Sequence, residues 1–556
     1  MKKTDYILPF LWVHGEEESV YREMIQAIKN ANIHAFCVES RPHEAFLQDK
    51  WWADMDVIID EAKKQDMRIY ILDDKHFPTG YANGAAASAP NSLRRQSVFY
   101  KHINVKAGET VSFSIMEYCN LEPTYNQLGF MMNQYMKNDE MHFEDDRLLS
   151  ATFYRESSYS VLDDRIQDGR ISFTADADGE ICLVYLTRNA GIHRNYINML
   201  EEGSVRLLID EVYEKHYAHY SAEFGKTIAG FFSDEPELGN STYTNVRVDM
   251  GDDENLDFPW SESFEKSLEE YMGEEYKYVL PLLWKNNYDK DSISKVRYQF
   301  MTALTNQVSD CFSKQIGTWC REHGVEYIGH VIEDNNLHSK TGSSLGHYFK
   351  GLKYQTMAGI DDIGGQVLPY QEDTVTEEPA RDGAFYHYCL GKLAVSLAQI
   401  NPGMDGDSMC EIFGNYGWSE GVRLEKYLMD HFMVRGVNHF VPHAFTCSPY
   451  PDADCPPHFY AHGNNPQYRH FGELMAYGSR VCERLSGGKL DSPVAILYHA
   501  ESEWCGERML IQEPARELYD HQIDYSFLPA EVFEQRDFYN TKIGKNLYVN
   551  GNEYKL

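Results

Sequence analysis

Apolar positions in the first 75 residues alternate between two rhythms. "YILPFLWV" is a short continuous apolar run, the pattern of a strand buried on both faces. "SVYREMIQAIKNAN" then places Val20, Met24 and Ile28 four apart, on one face of a helix. "HAFCVE" predicts a second strand, "WWADMDVIIDEAKKQ" a second helix on which Trp51 and Trp52 pack inward, and "MRIYILDD" a third strand. Strand–helix–strand units joined by short loops predict parallel strands with helical crossovers.

From about 97 to 187 the period changes to two. "ETVSFSIM" puts Val111, Phe113 and Ile115 on one side, and "GEICLVYL" behaves similarly. This predicts a β-rich insertion, a small sandwich carried on a loop after the third strand. The earlier rhythm resumes with "SVRLLIDEVYEKHYAHYSAEFG", where Ser204 is the expected N-cap and Gly225 the expected stop. "IAGFF" follows as a fourth strand, then helices near 262–282 and 291–323. "VEYIGHV", "TMAGIDDIG", "DSMCEIFG" and "VNHFVPHAF" are the next four strands.

Eight strands, starting near 7, 34, 67, 228, 325, 356, 407 and 437, are what a (β/α)8 TIM barrel requires. A doubly wound open sheet is the alternative, but the chain shows no glycine-rich phosphate loop. The expected organisation is α/β: barrel residues 1–96 and 191–490, the insertion at 97–190, and a partial α/β module at 491–556. In that module "SPVAILYH", "ARELYDHQID" and "YSFL" read as strand, helix and strand. The expectation is that this is the start of a further domain of a longer protein.

The 556 residues carry a formal net charge of −35, a field that repels nucleic acid and anionic membrane surfaces. No run approaches the roughly 20 apolar residues that cross a bilayer. The eleven scattered cysteines contain no C-x-x-C pair, which fits a reducing, cytoplasmic setting.

Barrel chemistry sits at the C-terminal ends of strands. Those ends offer Trp12 and His14, Glu39 and Arg41, Asp73, Asp74 and His76, Asp234 and Glu235, His330 and Glu333, Asp361 and Asp362, Glu411, and finally His439 and His443. Acids and histidines thus converge on one rim, as in a glycoside-cleaving site where two carboxyl groups flank one bond. Glu235 and Glu411 are the expected catalytic pair, one protonated and one ionised. Pro236 is expected to hold Glu235 in extended backbone geometry. Asp73, Asp74, His76, Asp234, His330, Glu333, Asp362, His439 and His443 are expected to meet substrate hydroxyls. Tyr416 and Trp418 in "GNYGWSEG" are expected to form a stacking platform. Core packing, helix capping and buried ion pairs are the structural alternatives for each of these residues.

"SDEPELGN", "IGHVIEDNN", "GIDDIG", "CEIFGNYGW" and "DDKHFPTGYANG", placed on successive strands, resemble glycoside hydrolase family 106, the α-L-rhamnosidases and their relatives. The strand-3 loop departs from that pattern, with Lys75-His76 in place of an acid and Trp. The C-terminal segment resembles the flavodoxin-like domain that follows the barrel in family 42 β-galactosidases. The resemblance spans most of residues 1 to 490. It implies a carbohydrate substrate, with Glu235 and Glu411 in the acid and base or nucleophile positions. The carboxylate mechanism itself requires no cofactor, but the resemblance implies Ca²⁺ in the site. It also implies a homo-oligomer, since the following domain can mediate association in family 42. Two other readings stay open. One is a catalytically inert carbohydrate-binding barrel. The other is a metal-dependent hydrolase or isomerase using His330, Glu333, His439 and His443.

Overall fold

The computed structural model describes residues 5–119, 142–190, 195–240, 249–253, 255–377 and 380–555. It is a mixed α/β protein built on parallel sheet. Strands β1 (Phe10–Val13), β2 (Ala35–Ser40), β3 (Arg68–Leu72), β4 (Ile228–Ser233) and β5 (Glu326–Gly329) pair in chain order, all parallel. Strands β6 (Ala358–Ile363), β7 (Ser408–Gly414) and β8 (His439–Pro442) form a second parallel sheet. Hydrogen bonds join the two sheets at both seams. Thr356 N donates to Tyr327 O (2.8 Å) between β5 and β6. Leu8 N donates to Phe440 O (3.0 Å) and Phe440 N to Tyr6 O (2.9 Å) between β8 and β1.

Alternation along these strands sorts the side chains. Phe10, Trp12, Cys37, Tyr70, Leu72, Phe232 and Val441 form one buried cluster inside the ring. Leu11, Val13, Phe36, Val38, Ile69 and Phe231 belong to the larger cluster beneath the helices. Both faces are covered, which is why the strands read as unbroken apolar runs. The β4–β5–β6 approach is close enough to demand glycine. A Cβ on Gly329 would lie 2.0 Å from Ser233 O, and one on Gly359 would lie 1.9 Å from Gly329 O.

Helix Glu18–Asn30 buries Met24 and Ile28 as the spacing predicts, and helix Asp49–Lys64 buries Trp51, whose Nε1 donates to His216 (3.2 Å). Ser204 is not a cap. The helix starts at Glu202, and Ser204 Oγ instead accepts from Asn198 N and donates to Leu93 O.

After β3 the chain forms a five-stranded antiparallel sheet (Gln96–Val105, Arg147–Tyr154, Tyr159–Val161, Gly179–Thr187), with Phe258–Trp260 added at its edge from farther along the chain. A three-stranded sheet packs with it over Phe99, Phe153, Ile181 and Leu183. Near the C-terminus, Val494–Tyr498 and Tyr525–Pro529 form a parallel pair, and helix Gln512–Asp520 lies between them in sequence. No helix among the described residues is long and apolar enough to cross a membrane.

Candidate active site

The C-terminal ends of β4 to β7 bring carboxyl groups together around one imidazole. His330 follows β5 and is fully buried. Its Nε2 lies 3.0 Å from Glu411 Oε2 on β7 and 3.3 Å from Asp234 Oδ1 after β4, while its Nδ1 faces Val331 O at 3.0 Å. Burial opposes a charge on this ring. The hydrogen bonds to Asp234 and Glu411, with the charges of Glu411 and Asp361, outweigh it and hold the imidazole well above its ordinary pKa. His330 is therefore held between two acid groups that favour its protonated form.

Glu235 sits one residue beyond Asp234 and keeps part of its surface open, whereas Glu411 is buried. Burial, reinforced by the charges of Asp234, Asp334 and Glu411, drives the Glu235 carboxyl far up. Glu411 is raised to about 7 by burial and Asp234, with His330 pulling the other way. The two glutamates thus differ in exposure, in partner and in the strength of their upward shift. Glu235 has φ +45°, in the left-handed region, so the extended geometry expected from Pro236 is not what forms. Non-glycine residues hold that conformation only where their surroundings impose it. Here the β4 end is fixed by Thr79, whose Oγ1 accepts from Asp234 N (2.9 Å) and whose N donates to Asp234 O (2.8 Å).

Asp361 joins this cluster and Asp362 does not. Asp361 is in register with Glu411, so their side chains share a face, and it is pushed well up by burial and by Glu411. Asp362, one residue on, faces the other way and accepts from Tyr416 OH at 2.9 and 3.0 Å. Tyr416 is consequently a hydrogen-bond partner of Asp362 and of the Val367 backbone, not an open platform. Trp418 is 42% exposed, edge-on to Tyr450 and His458, and remains available for stacking.

The other expected site residues divide similarly. Glu333 spends its carboxylate on two backbone amides, Val331 N (3.2 Å) and Asp361 N (2.8 Å), and so ties the β5 loop to β6. Asp73 accepts three protein hydroxyls, from Thr79 (2.5 Å), Tyr213 (2.5 Å) and Ser233. Asp74 accepts the amides of Lys75, Gly80, Ala82 and Asn83 at 2.8–3.0 Å. Both therefore build the strand-3 loop. His76 packs on Tyr81 in that loop. His443 follows the end of β8 against Trp12 (4.7 Å between rings). His439 opens β8, beside Asn438 and Tyr6. Four residues of strand separate the two histidines by about 13 Å, so they cannot share a metal ion.

Glu39, Arg41, Asp334 and Asp361 receive no catalytic or substrate role from the sequence, yet the structure places them at the same rim. Glu39 is fully buried, is raised to about 8 by burial against the opposing pull of Arg41, and accepts from Arg41 Nη1 (2.7 Å). Arg41 also pairs with Asp454 (2.8 Å) and covers the Trp12 ring at 4.2 Å. Glu39, Arg41 and Asp361 were legible as strand ends. Asp334 adjoins Glu333 and is held by Gln366 Nε2 (2.5 Å).

Among the described residues, two triads have ligand atoms mutually within 4.8 Å: Asp234–His330–Glu411 and Glu235–His330–Asp361. Each includes an imidazole nitrogen. Ca²⁺ takes oxygen donors, so neither triad matches the calcium site that the resemblance implies; mixed N/O sets suit Zn²⁺ and similar ions.

No protein-family model and no curated protein sequence matches the chain. Its fold is similar to that of a rhamnosidase from Novosphingobium sp. PP1Y, at TM-score 0.62 and 11% identity, over 100% of this chain and 65% of that one. It is also similar to a family 42 β-galactosidase from G. stearothermophilus (TM-score 0.54, 11% identity, 96% and 66% covered). A β-galactosidase from Bacillus circulans sp. alkalophilus aligns at TM-score 0.51 and 11% identity, over 95% and 65%. The chain spans about two thirds of the length of each. These three neighbours are TIM-barrel glycoside hydrolases, and at 11% identity what this chain shares with them is the fold.

Proposed function

We propose that the protein is a glycoside hydrolase that cleaves a glycosidic bond of an oligosaccharide or polysaccharide fragment, with Glu235 as general acid and Glu411 as nucleophile or base. The observation that carries this reading is the divergence of the two glutamates around His330. Glu235 is partly open, and burial among acids favours its protonated form. Glu411 is buried, and its carboxylate is held by the imidazole at 3.0 Å. A protonated carboxyl can donate to a leaving oxygen while an ionised one meets the anomeric carbon or activates water. The architecture follows the same reading. The described parts of 1–96 and 191–490 are assigned to a (β/α)8 barrel, those of 97–190 to its β-rich insertion, and those of 491–556 to a flavodoxin-like module.

A metal-dependent hydrolase is the second reading, favoured by the Asp234–His330–Glu411 triad. It requires His330 to give up its proton, whereas Asp234 and Glu411 both stabilise the protonated ring.

Hydrolysis of aryl α-L-rhamnoside, β-galactoside and β-glucuronide by native protein beside Glu235→Gln separates the readings. Turnover that survives chelation and is lost in the variant supports the carboxylate pair. Turnover that is restored only by Zn²⁺ and persists in the variant supports the metal. Binding of a glycan without turnover in either protein supports an inert barrel.

A further inference from the structure

The loop between β5 and the short helix Tyr348–Gly351 has two ends with different surroundings. Its first residues carry His330, Glu333 and Asp334. Its later residues are held by the C-terminal module. His338 is fully buried, with Nδ1 donating to Tyr498 OH (2.7 Å), Tyr498 OH donating back to His338 O (3.2 Å), and the His338 ring stacked on Phe385. Ser339 Oγ donates to Glu503 Oε2 (2.5 Å), and Trp504 Nε1 donates to Ser339 O (2.8 Å). Glu503 Oε1 lies 3.5 Å from His338 Nε2. Tyr498 OH also accepts from Tyr348 N (3.4 Å), and Tyr348 OH donates to Gly359 O on β6, two residues before Asp361.

Glu503 is 5% exposed, and its polar partners, His338 and Ser339, come from this loop. Burial would raise its carboxyl, yet His338, Lys340 and Ser339 bring it down to about 2. A buried carboxylate with such partners is a specific joint, since removing one side leaves an uncompensated charge.

We propose that Tyr498, Glu503 and Trp504 are positioning residues of the acid site, acting through the β5 loop to set where Glu333 and Asp334 stand; this rests on the glycosidase reading above. None of the three touches the cluster. Their effect passes along the loop on one side and through Tyr348 to β6 on the other.

The test uses the full chain with Glu503→Gln and, as a milder change, Tyr498→Phe. Amide exchange by mass spectrometry should become about tenfold faster or more across 333–346, with the ring strands unchanged. Glu235 faces Asp234, His330, Asp334, Asp361 and Glu411. Displacing Asp334 removes a charge that keeps its proton on, so the alkaline limb of the kcat/KM profile should move down by about half a pH unit. Unchanged exchange in 333–346 overturns the proposal, whatever the enzyme's activity. Faster exchange with an unmoved pH limb also overturns it, because the joint is then merely structural. Absence of glycosidase turnover in native protein strikes the underlying reading, while the exchange result still reports on the joint.

Discussion

His330 Nε2 stands 3.0 Å from Glu411 Oε2, so an imidazole on one strand end favours the ionised form of a carboxyl two strands away. Charge-assisted hydrogen bonds of this length are worth about 1.5–3 kcal/mol. In His330→Asn that support is gone, and the Glu411 carboxyl, already raised to about 7, rises further. Because Glu411 works ionised, the acidic limb of the rate profile should move to higher pH, by about one unit or more. A pH–rate series on native and variant enzyme checks this; an unmoved acidic limb removes His330 from that role.

Glu235→Gln should depend on the leaving group. A general acid matters most when the departing oxygen is a poor leaving group, so kcat should fall by about 10²–10⁴-fold for alkyl glycosides and much less for dinitrophenyl ones. Equal loss on both would indicate a role other than proton donation.

The backbone at Glu235 offers a separate readout. Glycine adopts φ +45° without the cost that a Cβ imposes, about 1–2 kcal/mol. Glu235→Gly also removes a carboxyl that burial disfavours. The variant should be inactive yet more stable to urea by about 1 kcal/mol. A less stable variant would show that the side chain supports the turn.

Glu420 and Glu425 are 5% and 3% exposed, and burial raises them to about 10 and about 8. A carboxyl whose folded pKa lies above its unfolded value binds more protons when folded. Its stabilisation is complete below the unfolded pKa, near 4.3, and is lost as pH rises through the folded one. Glu420→Gln and Glu425→Gln should therefore unfold at higher temperature than native protein at pH 8.5, with the gap closing toward pH 4. Thermal melts across that range decide it, and a pH-independent gap would assign the effect to packing.

Asp73 collects the hydroxyls of Thr79, Tyr213 and Ser233 in a fully buried position. Asp73→Ala leaves three donors without an acceptor, at a cost of about 3 kcal/mol or more in urea unfolding. Loss of turnover without loss of stability would instead return Asp73 to the substrate.

What the sequence determined by itself was local and periodic. Apolar runs bounded by polar turns marked the eight parallel strands. Four-residue spacing marked the helices, and period-two alternation marked the insertion, because strand and helix periods are properties of the backbone. The rule that chemistry gathers at strand ends was enough to bring out Glu235, His330 and Glu411. Tertiary structure decided the rest, since one residue of register sends a side chain to the opposite face. Asp361 and Asp362 are indistinguishable neighbours in the chain, yet one joins Glu411 and the other Tyr416. Likewise Asp73 and Asp74 read as open acids, and only folding supplies the hydroxyls and amides that occupy them. Glu235 lies left-handed despite Pro236, next to Asp234, whose backbone is held by Thr79, 155 positions before it.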